Sequence, residues 1–424
     1  MNGGPVRLVR VLGPGLITGA SDDDPSGIGT YSQVGSQFGY GLLWTALFTL
    51  PLMVAVQEMC ARIALHTGVG LGVSLRRKYP RWLVGLGIIG LLGANTVNLG
   101  ADLGAVAAGG ELLSHGLVRA AWLVIPIAAL IVALQLATSY EVIFRLFKYL
   151  TLALFAYVGS AFLSHPAAMQ VLVATLVPHI EVTRDFVAAL VAVLGTTISP
   201  YLFFWQASSE VDEMKAAGQT TEASRRGVRR SELRAARLDI IVGMALSQIV
   251  MYCIIVTSAA TLHVHGRTNV QTAQDAAAAL QPIAGPLAST LFSAGLIGTG
   301  LLAIPILSAS ASYALKEFLG LRGSLAAKPR SGPAFYAVII VSTAVGAAIN
   351  FGGIDPIKAL FLTAVINGLV APPLLILIVL LGSDHAVMGR RASGIWSRVL
   401  TWSATAGMAA AAIALLYTSL LSRS

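Results

Sequence analysis

The sequence predicts an all-α, polytopic membrane protein with about eleven transmembrane helices, and three observations carry that reading. Of 424 residues, 56% are apolar and only 11% charged, where a soluble domain has about 25% charged. Mean hydropathy is +0.78, and apolar runs near the ~20 residues that span a bilayer recur along the whole chain. Basic residues gather between alternate runs, as they do in cytoplasmic loops. Too few charged groups exist to cover a water-facing surface, so a soluble enzyme, a nucleic-acid binder and a disordered chain are excluded. A lipid-facing barrel would show alternating segments of about ten residues, and the sequence has none.

The runs fall at about 12–35, 41–65, 83–109, 118–138, 143–164, 184–212, 238–262, 284–313, 334–350, 358–382 and 396–420. They form one transmembrane domain over 1–424: five helices over about 12–164, five over about 184–382, and an extra helix over about 396–420. With the N-terminus in the cytoplasm, alternate loop assignment puts 23 Lys and Arg inside and 5 outside; one span more or fewer would scramble that bias. The formal net charge of +9 is then loop charge. The longest polar stretch, 216–236, is by the same reasoning a cytoplasmic loop. Cys60 and Cys253 sit inside apolar runs, which argues against a disulfide framework or a thiolate metal cluster. The basic lead (Arg7, Arg10) runs into a segment interrupted by Asp22, Asp23 and Asp24, unlike a signal peptide. The first span is therefore read as retained, in the cell (inner) membrane.

Two spans are expected to be broken. The first reads Gly13-Pro14-Gly15 through Ser21-Asp22-Asp23-Asp24-Pro25-Ser26-Gly27, with apolar sequence on both sides. Proline removes a helical donor and clashes with the preceding turn, and Gly27 adds backbone freedom. Unwound backbone at membrane depth is tolerated only where it lines a cavity or is buried in protein. The sixth span carries a matching interruption, Thr196-Thr197-Ile198-Ser199-Pro200-Tyr201. Paired interruptions at corresponding places in two halves point to an inverted-repeat transporter with its site near mid-membrane. A carboxylate at that depth is a functional hypothesis by default, and Asp24 is the first candidate. In the third span Asn95, Asn98 and Asp102 share one face. The asparagines suit interhelical hydrogen bonds, whereas Asp102 is costly to bury there.

The stretch from Gly13 to Gly68 resembles the NRAMP divalent-metal transporters: Gly-Pro-Gly, eight residues, Asp-Pro, then Gly35-Ser36-Gln37-Phe38-Gly39-Tyr40, Leu43-Trp44, Gln57, Ala61-Arg62 and Thr67-Gly68. Ala101-Asp102-Leu103 is similar to the family's third-span segment. The resemblance implies a LeuT-like fold in which the first and sixth spans hold the metal. It also implies that Asp24 keeps the family carboxylate and that Ser21 and Thr196 offer backbone carbonyls. Against the family motifs Asp-Pro-Gly-Asn and Met-Pro-His, Gly27 stands for the Asn, Ser199 for the Met and Tyr201 for the His. Gln206 stands where a second His is usual, and Ala105 where a Glu follows the third-span Asp.

These departures have a direction. Thioether is a soft ligand, while carboxylate, carbonyl and water suit magnesium, calcium and manganese. Removing Met and Asn leaves an oxygen-only site beside Asp22, Asp23 and Asp24, which fits a partly hydrated Mg²⁺ held through one or two carboxylates. A membrane proton relay uses Asp, Glu and His, and of the family's set only Asp102 survives. The expectation is a secondary transporter that imports Mg²⁺, with Mn²⁺ second, and couples weakly or not at all to protons. Asp24 is its principal ligand, and Ser21, Thr196 and Ser199 supply neutral oxygens. Asp22 and Asp23 concentrate cations, and Gly27 and Tyr201 shape the cavity. A proton-coupled Mn²⁺/Fe²⁺ importer and an amino-acid-like carrier on the same fold are the rivals; three adjacent Asp would repel a substrate carboxylate. No enzyme motif is found, no cofactor is implied beyond the transported cation, and the oligomeric state is left open, a monomer being sufficient.

Overall fold

The computed structural model describes residues 13–137, 155–281, 285–325 and 329–421. Regular structure among them is entirely helical. The first predicted span is two helices, α1 (Pro14–Asp22) and α2 (Pro25–Phe38). Then come α3 (Trp44–Thr67), the short α4 (Leu71–Lys78), α5 (Arg81–Leu113) and α6 (Ala120–Ala137). After these lie α7 (Phe155–Leu163) and α8 (Ala168–Leu176). The sixth span is α9 (Arg184–Thr197) and α10 (Pro200–Ala216). The chain ends with α11 (Arg230–Thr261), α12 (Ala288–Leu319), α13 (Pro333–Ile349), α14 (Pro356–Ser383) and α15 (Ile395–Leu421). Among the described residues, nine helical stretches are long and apolar enough to cross a membrane, α9 and α10 counting as one. The broken first span adds to these. Of the fifth span expected at 143–164, residues 143–154 lie outside the described residues and α7 is its described end.

One helix starts earlier than hydropathy suggested. α11 begins at Arg230, and a turn of helix covers Glu222–Arg225. The polar stretch 216–236 is thus partly helical, because Arg, Glu and Ala propagate a helix as well in water as in lipid.

The breaks fall where the prolines put them. Asp23 (φ −84°, ψ 45°) and Asp24 (φ −66°, ψ 169°) leave the helix, and Pro25 starts α2. Ile198 (φ −118°, ψ 55°) and Ser199 (φ −71°, ψ 129°) leave it in the same way before Pro200 starts α10. Proline pushes the preceding residue to extended backbone and suits a first helical position, where its missing N–H is no loss.

Each half-helix before a break is clamped to a long neighbour by glycine. A Cβ on Gly19 would overlap the backbone of Gly243 in α11, and one on Gly195 would overlap Ala364 and Gly368 in α14. Small residues permit this backbone-to-backbone approach. α1 depends on α11 along its whole length. Its N-terminus has no side-chain cap of its own; instead Asp239 accepts the N–H groups of Gly13 (2.9 Å), Gly15 (2.6 Å) and Leu16 (3.1 Å). Asp239, Gly243 and Ser247 are four residues apart, so they form one stripe on α11 that meets the start, middle and end of α1. α10 is central: Tyr201, Phe203, Phe204 and Trp205 are all buried.

Polar contacts near the helix ends fall into two groups. At one end Glu58 gathers Arg62, Arg237 (3.2 Å) and Ser397 (3.2 Å), Lys78 pairs with Asp384, and Arg77 pairs with Glu222 (2.8 Å). Arg77, seconded by Arg226, holds the Glu222 carboxyl down at about 2. At the other end His263 Nδ1 meets the Ser36 carbonyl (2.8 Å) and the Val270 N–H donates to Gln33 (3.0 Å).

Candidate cation site at the paired breaks

Asp24 caps α2. Its Oδ1 accepts the N–H of Gly27 (2.9 Å) and the hydroxyl of Ser26 (2.5 Å), and a carboxylate at a helix N-terminus is favourable. Its Oδ2 faces the bundle interior. There the Asn98 amide donates at 3.2 Å and the Tyr201 hydroxyl lies 3.4 Å away. The same Asn98 nitrogen is 3.4 Å from Asp102 Oδ2, so one neutral amide sits between two carboxylates. Tyr201 joins the two breaks directly: its hydroxyl donates to the Ser21 carbonyl at 2.7 Å. Asp22, Asp23 and Asp24 are 1%, 4% and 2% exposed, and Asp102 is fully buried, which closes the site to solvent.

Tyr201 and Asp24, both expected from the sequence, therefore meet, and Ser21 is there through its carbonyl. Thr196 and Ser199 lie at the second break, but their hydroxyls turn back on their own helix. Ser199 Oγ is 2.8 Å from the Gly195 carbonyl and 2.7 Å from that of Thr196, and Thr196 Oγ1 donates to Val193 at 3.0 Å. Their oxygens retain lone pairs. Asp22 and Asp23 divide from Asp24 and face α11 instead, where the Ser247 hydroxyl lies 2.8 Å from Asp22 Oδ2 and 3.2 Å from Asp23 Oδ1. Among the described residues, no three His, Cys, Asp or Glu side chains come together as a metal group. A cation at the breaks would have at most two carboxylates, the rest being neutral oxygen and water.

Three participants were missed by sequence reasoning. Asn367 of α14 donates to Asn98 Oδ1 at 3.5 Å; a lone amide in an apolar span was the available signal. Ser247 of α11 bridges Asp22 and Asp23. Tyr31 stands one turn after Gly27, and a Cβ on Gly27 would sit 3.2 Å from its Cε2 atom. The Tyr31 ring thus fills the space beside Gly27, and its buried hydroxyl lies toward Thr196. The i, i+4 spacing of Gly27 and Tyr31 was legible.

A family profile described as "Natural resistance-associated macrophage protein-like" matches residues 15–418. The chain belongs to the Nramp family. Among similar sequences is a divalent metal cation transporter MntH of Xanthomonas campestris, 27% identical over 403 residues, covering 93% of this chain and 87% of the relative. Another is divalent metal cation transporter MntH 1 of Pseudomonas aeruginosa, 27% identical over 428 residues, covering 97% and 92%. Among solved structures, the Eremococcus coleocola manganese transporter aligns with a TM-score of 0.74 at 18% identity, over 99% of this chain and 88% of that one. Mhp1, a nucleobase-cation-symport-1 family transporter, aligns at 0.55 and 15% identity, over 97% and 90%. These likenesses show the LeuT-type fold. In this Nramp chain a polar thread leads from the breaks toward one end: Thr18 donates to Gln206 (2.6 Å), and Gln206 donates to Glu210 (2.9 Å). It ends in a cavity of about 290 Å³ lined by Glu210, Glu213 and Asp239. A cavity of about 190 Å³ beside Gln33, Asn269 and Gln271 opens at the other end.

Proposed function

We propose that this Nramp chain is a secondary transporter that carries a divalent cation into the cytoplasm, Mg²⁺ before Mn²⁺, with little or no proton flux. One observation supports it above others: Asp24 Oδ2 faces Asn98, Tyr201 and Asp102 in a closed site whose heteroatoms are oxygen and amide nitrogen, without thioether or imidazole. Hard oxygen ligands suit Mg²⁺ and Mn²⁺, and Mg²⁺ keeps waters when held by one or two carboxylates. Asp24 is the principal ligand, with Ser21, Thr196, Ser199 and Tyr201 contributing oxygens directly or through water, and Gly27 leaving room for Tyr31. Asp102 is what remains of a proton path. The chain works as a single domain of two five-helix repeats and an extra helix, in the cell membrane with the N-terminus in the cytoplasm. The Arg- and Lys-rich end is then cytoplasmic, and an inside-negative potential drives uptake with ~2.3 kcal/mol per charge per 100 mV, about twice that for a dication. Alternating access rocks the broken spans against the remaining helices.

A second reading is a proton-coupled Mn²⁺/Fe²⁺ importer, of which the relatives' names, divalent metal cation transporter and manganese transporter, bear on the metal alone. Proteoliposomes with a Mg²⁺ indicator and an internal pH dye separate the two. We expect Mg²⁺ influx, Mn²⁺ competing with it, and no acidification that tracks the flux. Acidification in proportion to metal uptake, or Mn²⁺ uptake that excess Mg²⁺ leaves untouched, rejects the first reading.

A further inference from the structure

Asp24 and Asp102 face each other across one neutral side chain. The Asn98 amide nitrogen lies 3.2 Å from Asp24 Oδ2 and 3.4 Å from Asp102 Oδ2; Asp24 is 2% exposed, and Asn98 and Asp102 are fully buried. Among the described residues, neither carboxylate forms an ion pair with Lys, Arg or His. Their donors are neutral. Ser26 and Gly27 serve Asp24 Oδ1, the Ser26 N–H lies toward Asp102, and Asn98 serves an oxygen of each. The Tyr201 hydroxyl is 3.4 Å from Asp24 Oδ2, but its one proton goes to the Ser21 carbonyl at 2.7 Å. A primary amide carries two N–H protons, so Asn98 can serve both carboxylates at once. Its orientation is set from behind, where Asn367 Nδ2 of α14 donates to Asn98 Oδ1 at 3.5 Å. Turned over, Asn98 would put its oxygen against two carboxylates and its amide nitrogen against another.

Position gives this bridge a role. Asn98 and Asp102 are four residues apart on α5 and stay neighbours on one face, while Asp24 belongs to a broken span that rocks against α5. The bond from Asn98 to Asp24 therefore crosses between the moving part and its frame. A carrier that imports a dication with no counter-ion passes the closed site twice in each cycle, once with cargo and once on the way back. With cargo, the cation compensates the two carboxylates. On the way back that task falls to hydrogen-bond donors, because an uncompensated buried charge is costly. We propose that Asn98 is the positioning residue of the return step: its amide ties Asp24 to Asp102 while the carrier turns round without cargo, and yields Asp24 to the cation on the loaded stroke. This rests on the reading of Asp24 as the cation ligand and names the group that lets the cycle close without a proton.

Two modes of transport by the full chain in proteoliposomes separate the return step from the loaded one. Net Mg²⁺ uptake, read with an internal indicator, needs the return step. Exchange of isotopically labelled external Mg²⁺ for internal Mg²⁺ at equal concentrations, read by mass spectrometry, does not. Asn98→Ala should lower net uptake by about tenfold or more and leave exchange within about twofold of the parent. Asn98→Ser, which keeps a single donor, should lie between, and it carries the comparison if thermal unfolding shows the alanine variant to be unfolded. Net uptake and exchange that fall together overturn the proposal, since Asn98 then acts on the loaded carrier or on the fold. Net uptake that the variants leave unchanged overturns it as well. Exchange that survives in Asp24→Asn rejects Asp24 as the ligand, an outcome read on a separate variant. A parent protein that moves Mn²⁺ and not Mg²⁺ rejects the proposed cargo, and labelled Mn²⁺ in the same two modes then decides the role of Asn98.

Discussion

At the first break Asp24 turns its carboxylate onto the amide of Gly27 and the hydroxyl of Ser26, whereas at the second Ser199 turns its hydroxyl back onto the carbonyls of Gly195 and Thr196. The backbone device is the same in both, two non-helical residues and then a proline. The chemistry is not. The first break brings three carboxylates, and the second brings none; what it contributes is the Tyr201 hydroxyl that reaches across to the Ser21 carbonyl. A broken helix creates the opportunity for a site, and the side chains at the break decide what the site holds.

Four experiments press on that difference. The largest effect is expected from Asp24→Asn, which removes charge from the charged break. Uptake into proteoliposomes should fall by about 10- to 100-fold, with the protein still eluting as a folded species. If half the activity remains, the two breaks are not divided as described. Next, giving the second break the family's softer residues, Ser199→Met with Tyr201→His, should move preference from Mg²⁺ toward Mn²⁺ and Cd²⁺ by about tenfold, or ~1.4 kcal/mol. Competition uptake assays read this ratio, and an unchanged ratio would show that the second break does not choose the ion.

Gly27→Asn sharpens the picture within the first break. Its new Cβ would press on the Tyr31 ring, and overpacking costs about 1–3 kcal/mol. Thermal unfolding should show the loss, and Tyr31→Ala in the same chain should recover part of it; equal losses with and without Tyr31 would place the strain elsewhere. The smallest effect concerns a water-facing carboxylate as a foil to the buried ones. Glu222, held at about 2 by Arg77 and Arg226, has a depressed pKa, so its contribution is complete above the ordinary carboxylate range and is lost as pH falls toward about 2. The pair is exposed, so Glu222→Gln should cost only about 0.2–1 kcal/mol at pH 7. The difference from the parent should shrink as unfolding is followed from pH 7 to pH 3.

Much of this was legible because membranes simplify the code. Hydropathy located the nine long apolar helices among the described residues, and Pro25 and Pro200 located both breaks, since proline acts on the residue next to it. Asp24 stood out as the residue before the proline and through the family resemblance, since Asp22 and Asp23 share its depth. The division of Asp22 and Asp23 from Asp24 could not, because it depends on which helix lies against α1, and Ser247 is more than two hundred residues away in the chain. Tyr201 was read as shaping a cavity; its cross-link to Ser21 needs the three-dimensional distance between two breaks. The start of α11 was misplaced by eight residues for a different reason: hydropathy marks where lipid ends, not where helix ends.

The first half-helix has one more consequence, and it concerns the order of assembly. The hydrogen bonds that finish the start of α1 join residues 223 to 226 positions apart. Those N–H groups are synthesised long before Asp239 exists to receive them. The start of α1 is therefore without these acceptors until the chain has been made as far as α11. The half-helix that leads into the first break is thus made before α11 and completed by it.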